Sequence, residues 1–273
     1  MQTALRGFLL IGFILLQACA TPSERFAAEA RQLRFSEQLL SGAPFQHRVY
    51  LNALADLDVS ISELHVYLDG DGTPWRTSSR IADDPTARNP LILSLMAKDP
   101  AASLLLGRPC YYGLNLSVGC DEAWWTSQRY AVQVVNSMVA ALQHWLAGKK
   151  VTQLVLIGYS GGGALAVLMA QRLQNVSLLV TMAANLDTQA WSQYHGYPAP
   201  AGSLNPAVDA SVPAAIRQVH LAGLKDENVP ADIIENFSRA QGNSRYMGVP
   251  NFTHDCCWPE IWPDILHSEF ERH

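Results

Sequence analysis

The chain has no excess of basic residues: 19 Lys and Arg stand against 24 Asp and Glu among its 273 residues, a formal charge of −5. A nucleic-acid partner is therefore not expected, because the electrostatic footprint that would hold one is missing. No segment recurs at a fixed period and no low-complexity tract interrupts the chain, which argues against repeat architectures and disordered linkers. Cysteine is sparse, five residues in all, and never in the CxxC pairs or near the histidine spacing that a zinc site needs. No metal and no cofactor are expected. Long hydrophobic runs are missing too: the stretch from Phe8 to Leu16 is too short for an ordinary transmembrane helix. What is present is 49% hydrophobic residues spread along the chain, enough for one large α/β domain with a continuous core.

The N-terminus has the form of a targeting segment, with Arg6 ahead of the apolar run. It ends in Leu16-Gln17-Ala18-Cys19, which resembles the lipobox of bacterial lipoproteins, where cleavage before the cysteine leaves its thiol diacylated. That resemblance implies a signal peptide over residues 1–18 and lipid attachment at Cys19. It also implies a bacterial cell envelope location, with the N-terminal lipid anchor as the membrane contact. A plain signal peptide with Cys19 incidental is the alternative. Ala20 stands where a retention signal for the inner membrane would have aspartate, so the outer membrane, facing the periplasm, is the expected destination. Residues 19–44, with polar Thr21 to Arg25 at their start, are expected to be a tether and lead-in to a domain over 45–273. An exported chain meets an oxidising compartment, and Cys110 and Cys120, bracketing a short loop, are the expected disulfide. Cys256 and Cys257 are adjacent, and their pairing stays open.

Short apolar runs alternate with helical patterns through the rest of the chain. Strands are expected at Phe45 to Asn52 (antiparallel), Leu64 to Leu68, Ala102 to Leu106, Val151 to Ile157, Val176 to Met182, Val219 to Ala222 and Tyr246 to Val249. Helices are expected at Leu91 to Lys98, along the whole of Trp124 to Ala147, at Ala164 to Leu173 and at Pro230 to Ala240. Such alternation predicts a mostly parallel central sheet with helices on both faces. A Pro- and Gly-rich stretch around Tyr197 to Pro206 marks a short insertion.

The segment Gly158-Tyr159-Ser160-Gly161-Gly162 matches G-x-S-x-G, with a buried-type strand before it and a helix-forming run after it. A sharp strand-to-helix turn of this kind needs glycine neighbours and presents the serine hydroxyl above the sheet. With these residues the chain resembles the α/β-hydrolase superfamily from about Val49 to the C-terminus. The resemblance implies Ser160 as nucleophile, then an acid and a histidine in that chain order. Val219 to Pro230 looks like the family's late strand followed by G-x-x-D-x-x-V-P, which makes Asp226 the candidate acid, with Asp187 and Glu227 as rivals. Three histidines follow Asp226, namely His254, His267 and His273. His254 lies just after the last strand, where the family places its base. For the oxyanion hole the resemblance implies the backbone N–H of Gly161 and a second donor in Asp69-Gly70-Asp71-Gly72. There Asp71 is favoured and Gly72 is the alternative, because many relatives have His-Gly-Gly-Gly or His-Gly-x at this point. Acidic side chains beside an oxyanion are unfavourable unless paired, and Arg76, Arg108 and Arg129 are the candidate partners. Trp191, Tyr194, His195 and Tyr197 belong to the cap-like insertion, either shaping a pocket or packing it down.

Together these features lead to an expected serine hydrolase that cleaves an ester-type acyl bond of a small-molecule or lipid-like substrate through Ser160, His254 and Asp226. Acyltransferase, thioesterase or amidase chemistry on the same residues, or a non-catalytic envelope binding protein on the same frame, are the alternatives.

Overall fold

A computed structural model describes residues 20–57 and 60–270. The stretch expected to be a signal peptide, Cys19 and His273 lie outside them. The elements run α1 (Pro22–Gln32), β1 (Ser36–Ser41), β2 (Gln46–Leu51), α2 (Ala53–Asp56), β3 (Ile61–Leu68), and a small hairpin of β4 (Trp75–Thr77) and β5 (Arg80–Ile81). They continue with α3 (Leu91–Met96), β6 (Ala102–Leu106), α4 (Val132–Leu146), β7 (Val151–Tyr159), α5 (Gly161–Ala170) and β8 (Val176–Met182). The last third holds α6 (Thr188–His195), α7 (Pro206–Asp209), β9 (Arg217–Gly223), α8 (Ala231–Ala240), β10 (Ser244–Val249) and α9 (Trp258–Phe270).

Eight strands form one sheet in the order β1-β2-β6-β3-β7-β8-β9-β10. The pairs β1 with β2 and β2 with β6 are antiparallel, and every pair from β6 to β10 is parallel. Both faces are covered, and alternate residues of the central strands divide between them. Leu64, Val66, Leu68, Leu154 and Leu156 join Val134, Met138 and Leu142 of α4, Leu165 of α5 and Phe237 of α8. Tyr67, Val155, Ile157 and Val180 join Phe26 of α1, Leu91 and Leu95 of α3, and Trp258 and Trp262 of α9. Both tryptophans are fully buried, and burial of side chains this large stabilises the docking of α9 by roughly 1.5–3 kcal/mol each. Helix α5, Gly-Gly-Gly-Ala-Leu-Ala-Val-Leu-Met-Ala, has no polar stripe because every one of its residues is buried.

Two expectations are corrected. Residues 20–44 are no tether: Thr21 caps α1, accepting from the Glu24 N–H at 3.2 Å while the Glu24 carboxylate accepts from the Thr21 N–H at 2.7 Å. Phe26 and Ala30 of that helix are buried, and β1 is an edge strand of the main sheet, so the domain begins well before Phe45. Nor is Trp124 to Ala147 one helix. A 3₁₀ turn over Glu122–Trp125 is followed by irregular chain until α4 starts at Val132. Tertiary partners claim the intervening backbone: the Ser203 hydroxyl donates to the Ser127 carbonyl and accepts from the Tyr130 N–H, and the Tyr130 carbonyl accepts from the Leu204 N–H.

The buried side chain of His65 on β3 donates from Nδ1 to Asp99 at 2.5 Å and from Nε2 to Glu63 at 3.0 Å. Burial opposes its charge, but the two carboxylates outweigh burial and carry the imidazole up to about 9. A group raised above its unfolded value, near 6.5, stabilises fully below that value, and the contribution is lost as pH rises through the folded pKa. Thermal melts between pH 7 and 9.5 are therefore expected to show a falling midpoint, on the order of 3 kcal/mol of stability from this site. His65→Gln is expected to start lower and to flatten that slope; an unchanged slope in the variant would remove His65 from the alkaline loss.

Candidate active site

The turn between β7 and α5 carries Ser160 at φ 51° and ψ −123°, a conformation that residues with side chains rarely adopt. Its N–H donates to the Met182 carbonyl at 2.9 Å, and its own carbonyl accepts from Gly163 at 3.0 Å and Asn185 at 3.3 Å. Close approach explains the glycines: a Cβ on Gly158 would overlap the Gly162 carbonyl oxygen, and one on Gly161 would overlap the Asp71 carboxylate. The serine hydroxyl does not cap α5. It lies 3.0 Å from His254 Nε2, while His254 Nδ1 lies 2.8 Å from Asp226 Oδ2. An ionised carboxylate only accepts, so Nδ1–H donates to Asp226 and leaves Nε2 to receive the Ser160 hydroxyl proton.

Asp226 follows β9 and is buried, and its other oxygen accepts from the Asn228 and Val229 N–H groups, both at 2.8 Å. These bonds fix the carboxylate against His254. Of the rivals, Asp187 is spent on capping α6, accepting from Gln189 and Ala190 at 3.1 Å and from Asn205 Nδ2 at 2.8 Å. Glu227 is exposed, and so is His267 on α9. The chain thus brings Ser160, His254 and Asp226 together from three separate loops.

A second serine and histidine also meet, His47 Nε2 and Ser137 Oγ at 2.7 Å. Both are fully buried, His47 Nδ1 donates to the Gly107 carbonyl at 2.9 Å, and burial pushes the imidazole down to about 4. With a carbonyl in place of a carboxylate and no access for a substrate, this pair ties β2 to α4.

The loop after β3 lies beside Ser160, since a Cβ on Gly70 would stand 3.2 Å from the serine Cβ. Asp71 is paired with two of the three arginines named for it: Arg108 Nη1 is at 2.6 Å and Arg129 Nε at 3.4 Å, and the Tyr130 hydroxyl donates to it at 2.7 Å. Burial disfavours this carboxylate's charge, but Arg129, Arg108 and Tyr130 outweigh it and hold the pKa below the ordinary value. The third arginine, Arg76, pairs with Asp83. Asp69 is buried as well, accepting from the Gly70 N–H at 2.8 Å and the Tyr112 hydroxyl at 3.1 Å, and burial pushes it up to about 6. The same loop is held from below, because the Gly70 carbonyl accepts from Arg108 at 3.2 Å and the Asp71 carbonyl from the Tyr111 hydroxyl at 3.0 Å.

The chain has the α/β-hydrolase fold. It superposes on the esterase Est1E from Butyrivibrio proteoclasticus with a TM-score of 0.59 at 13% identity, over 86% of this chain and 97% of that one. It is likewise similar to the esterase Pf2001 of Pyrococcus furiosus (TM-score 0.60, 11% identity, 89% and 93% covered). A third similar structure is XC6422 from Xanthomonas campestris, described as an α/β serine hydrolase without lid (TM-score 0.56, 12% identity, 85% and 92% covered). No protein-family model matches the chain, and no curated protein matches it by sequence.

In this fold the insertion between β8 and β9 carries α6, whose Trp191 and His195 both donate to the Asn228 carbonyl, at 2.8 and 2.7 Å. The insertion is thereby fastened to the loop that bears Asp226. Trp191 and His195 thus hold it down, whereas Tyr194 and Tyr197 are more than half exposed. Cys110 and Cys120 are joined by a disulfide, and so are Cys256 and Cys257. Sequence reasoning missed Tyr159, Asp255 and Trp258, which hold the His254 loop: the Tyr159 hydroxyl donates to Asp255 Oδ1 at 2.7 Å and Trp258 Nε1 to the His254 carbonyl at 2.8 Å. Only two positional cues were available, since Tyr159 occupies the variable place of the G-x-S-x-G motif and Asp255 directly follows His254.

Proposed function

We propose that the protein is a serine hydrolase acting on ester-type acyl bonds of small-molecule or lipid-like substrates. The observation that carries this is the chain of contacts from Ser160 through His254 to Asp226, in a serine held at positive φ. Ser160 Oγ attacks the ester carbonyl carbon as its proton passes to His254 Nε2, and Asp226 stabilises the imidazolium and fixes the tautomer. His254 then returns that proton to the departing alkoxide oxygen, leaving an acyl-serine. Water, deprotonated by His254, cleaves the acyl-serine, the carboxylic acid leaves, and Ser160 regains its proton.

Two backbone donors serve the oxyanion in this scheme. Gly161 is the first residue of α5, where N–H groups have no intrahelical acceptor. In a planar trans peptide the N–H points opposite the carbonyl, so anchoring the Gly70 carbonyl on Arg108 turns the Asp71 N–H away from Arg108. Such preorganised donors contribute roughly 2.7–4 kcal/mol each to transition-state binding. Rapid mixing with p-nitrophenyl esters of graded chain length tests the scheme: a burst of one equivalent of nitrophenol and a matching acyl adduct on Ser160 are expected. Release by Ser160→Ala at the wild-type rate, with no adduct on Ser160 of the wild type, would reject it.

Attachment to the bacterial envelope through Cys19 is part of the same proposal and rests on Leu16-Gln17-Ala18-Cys19, and the outer membrane as destination rests on Ala20. Thr21 already caps α1, so an anchor at Cys19 would hold the folded domain close against the bilayer. Mass spectrometry of the native N-terminus is expected to find a lipid-modified Cys19. An unmodified chain starting after Cys19, or one retaining Met1, would refute the anchor and leave the chemistry untouched.

A further inference from the structure

The histidine loop has a fastening of its own, separate from the contact with Asp226. Tyr159, the residue just before the nucleophile, is buried, and its hydroxyl donates to Asp255 Oδ1 at 2.7 Å and lies 3.2 Å from the His254 carbonyl oxygen. Its ring stands 5.3 Å, centroid to centroid, from the His254 imidazole. On the other side the ring lies against the oxyanion loop, since a Cβ on Gly70 would be 3.4 Å from Tyr159 Cδ1. One side chain therefore touches both loops that must be in register with Ser160. Trp258 Nε1 supplies a second grip on the His254 carbonyl at 2.8 Å, but from α9, which carries no part of the nucleophile turn.

We propose that Tyr159 is a positioning residue that locks the distance between the nucleophile turn and His254 through its bond to Asp255, so that Asp255 serves as an anchor and not as the acid of the relay. The proposal rests on the catalytic reading of Ser160 and His254. Physically, His254 sits on a loop between β10 and α9, and its imidazole reaches Ser160 across a single 3.0 Å contact. A loop free to shift by an ångström would break that contact often, and misplacement of this size costs up to about a hundredfold in rate. Burial and the neighbouring Asp255 both raise the Tyr159 pKa, so the phenol stays protonated and able to donate. The acceptor needs only an oxygen, which separates the role of Asp255 from that of a charge.

The test is a set of variants assayed on one chromogenic ester, with melting temperature followed in parallel. Tyr159→Phe keeps the ring and loses only the hydroxyl, and is expected to lower kcat roughly 10- to 100-fold with KM within about twofold. Asp255→Ala is expected to match it, Asp255→Asn to recover to within about threefold of the wild type, and Tyr159→Phe/Asp255→Ala to be no worse than either single change. A kcat for Tyr159→Phe within twofold of the wild type would overturn the proposal, as would losses that multiply in the double variant. A fall in kcat matched by a rise in KM and a lower melting temperature would also overturn it, by showing a merely structural role. Absence of turnover in the wild type would instead defeat the serine-hydrolase reading itself.

Discussion

Ser160→Ala is expected to cut ester turnover by roughly a millionfold, as removal of a triad nucleophile does, while shifting stability by less than about 1 kcal/mol. The hydroxyl makes one contact, to His254 Nε2 at 3.0 Å, and takes no part in capping α5. Alanine keeps the Cβ that packs near Gly70, and a partly exposed His254 can bond water where the hydroxyl was. The backbone bonds that define the turn, to Met182, Gly163 and Asn185, do not involve the side chain. Any residual rate is then that of the oxyanion donors and substrate binding alone. The measurement is kcat/KM on an activated ester beside a thermal melt; activity above a few per cent of the wild type would take Ser160 out of the mechanism.

Asp226→Asn should be nearly as damaging, roughly ten-thousandfold in kcat, through the tautomer of its neighbour. An asparagine oxygen can still accept from Asn228 and Val229, so the loop keeps its shape. The amide nitrogen then faces His254 Nδ1 and donates to it, which forces the imidazole proton onto Nε2 and leaves nothing to receive the Ser160 proton. Asp187→Asn is the matched control. Its carboxylate caps α6 through Gln189 and Ala190, and asparagine is an equally good cap, so kcat is expected to stay within about threefold. The reverse ranking would transfer the acid's role to Asp187.

What the sequence discloses here depends on how local each cause is. β7, the glycine turn and α5 are legible because strand period, turn chemistry and buried helix are all written within Val151 to Ala170. Asp226 and His254 follow from the family resemblance, which puts the acid and the base after the strands that became β9 and β10. The break before α4 is invisible for the opposite reason: Trp124 to Ala147 has no proline or glycine until Gly148, and Ser203, Leu204 and Asp71 unwind it from far along the chain. The place of residues 20–44 in the domain escapes notice because α1 shows a polar start and reveals its apolar face only through Phe26 and Ala30. Arg108 is one of three arginines that charge balance suggests for Asp71, and only the fold places it fully buried beneath the Gly70 carbonyl. The bond between Tyr159 and Asp255 spans 96 positions and follows no spacing rule.

If Ser160 is a nucleophile activated by His254, a fluorophosphonate must label it, because the reagent loses fluoride and forms a stable phosphonyl ester only with a serine whose proton can be removed. Incubation of the purified protein with the reagent, followed by intact mass and peptide mapping, is expected to show one equivalent on Ser160. That label should be absent from Ser160→Ala and strongly slowed in His254→Ala. A folded wild-type protein that takes up no label, or takes it up at another residue, would show that Ser160 is not an activated nucleophile.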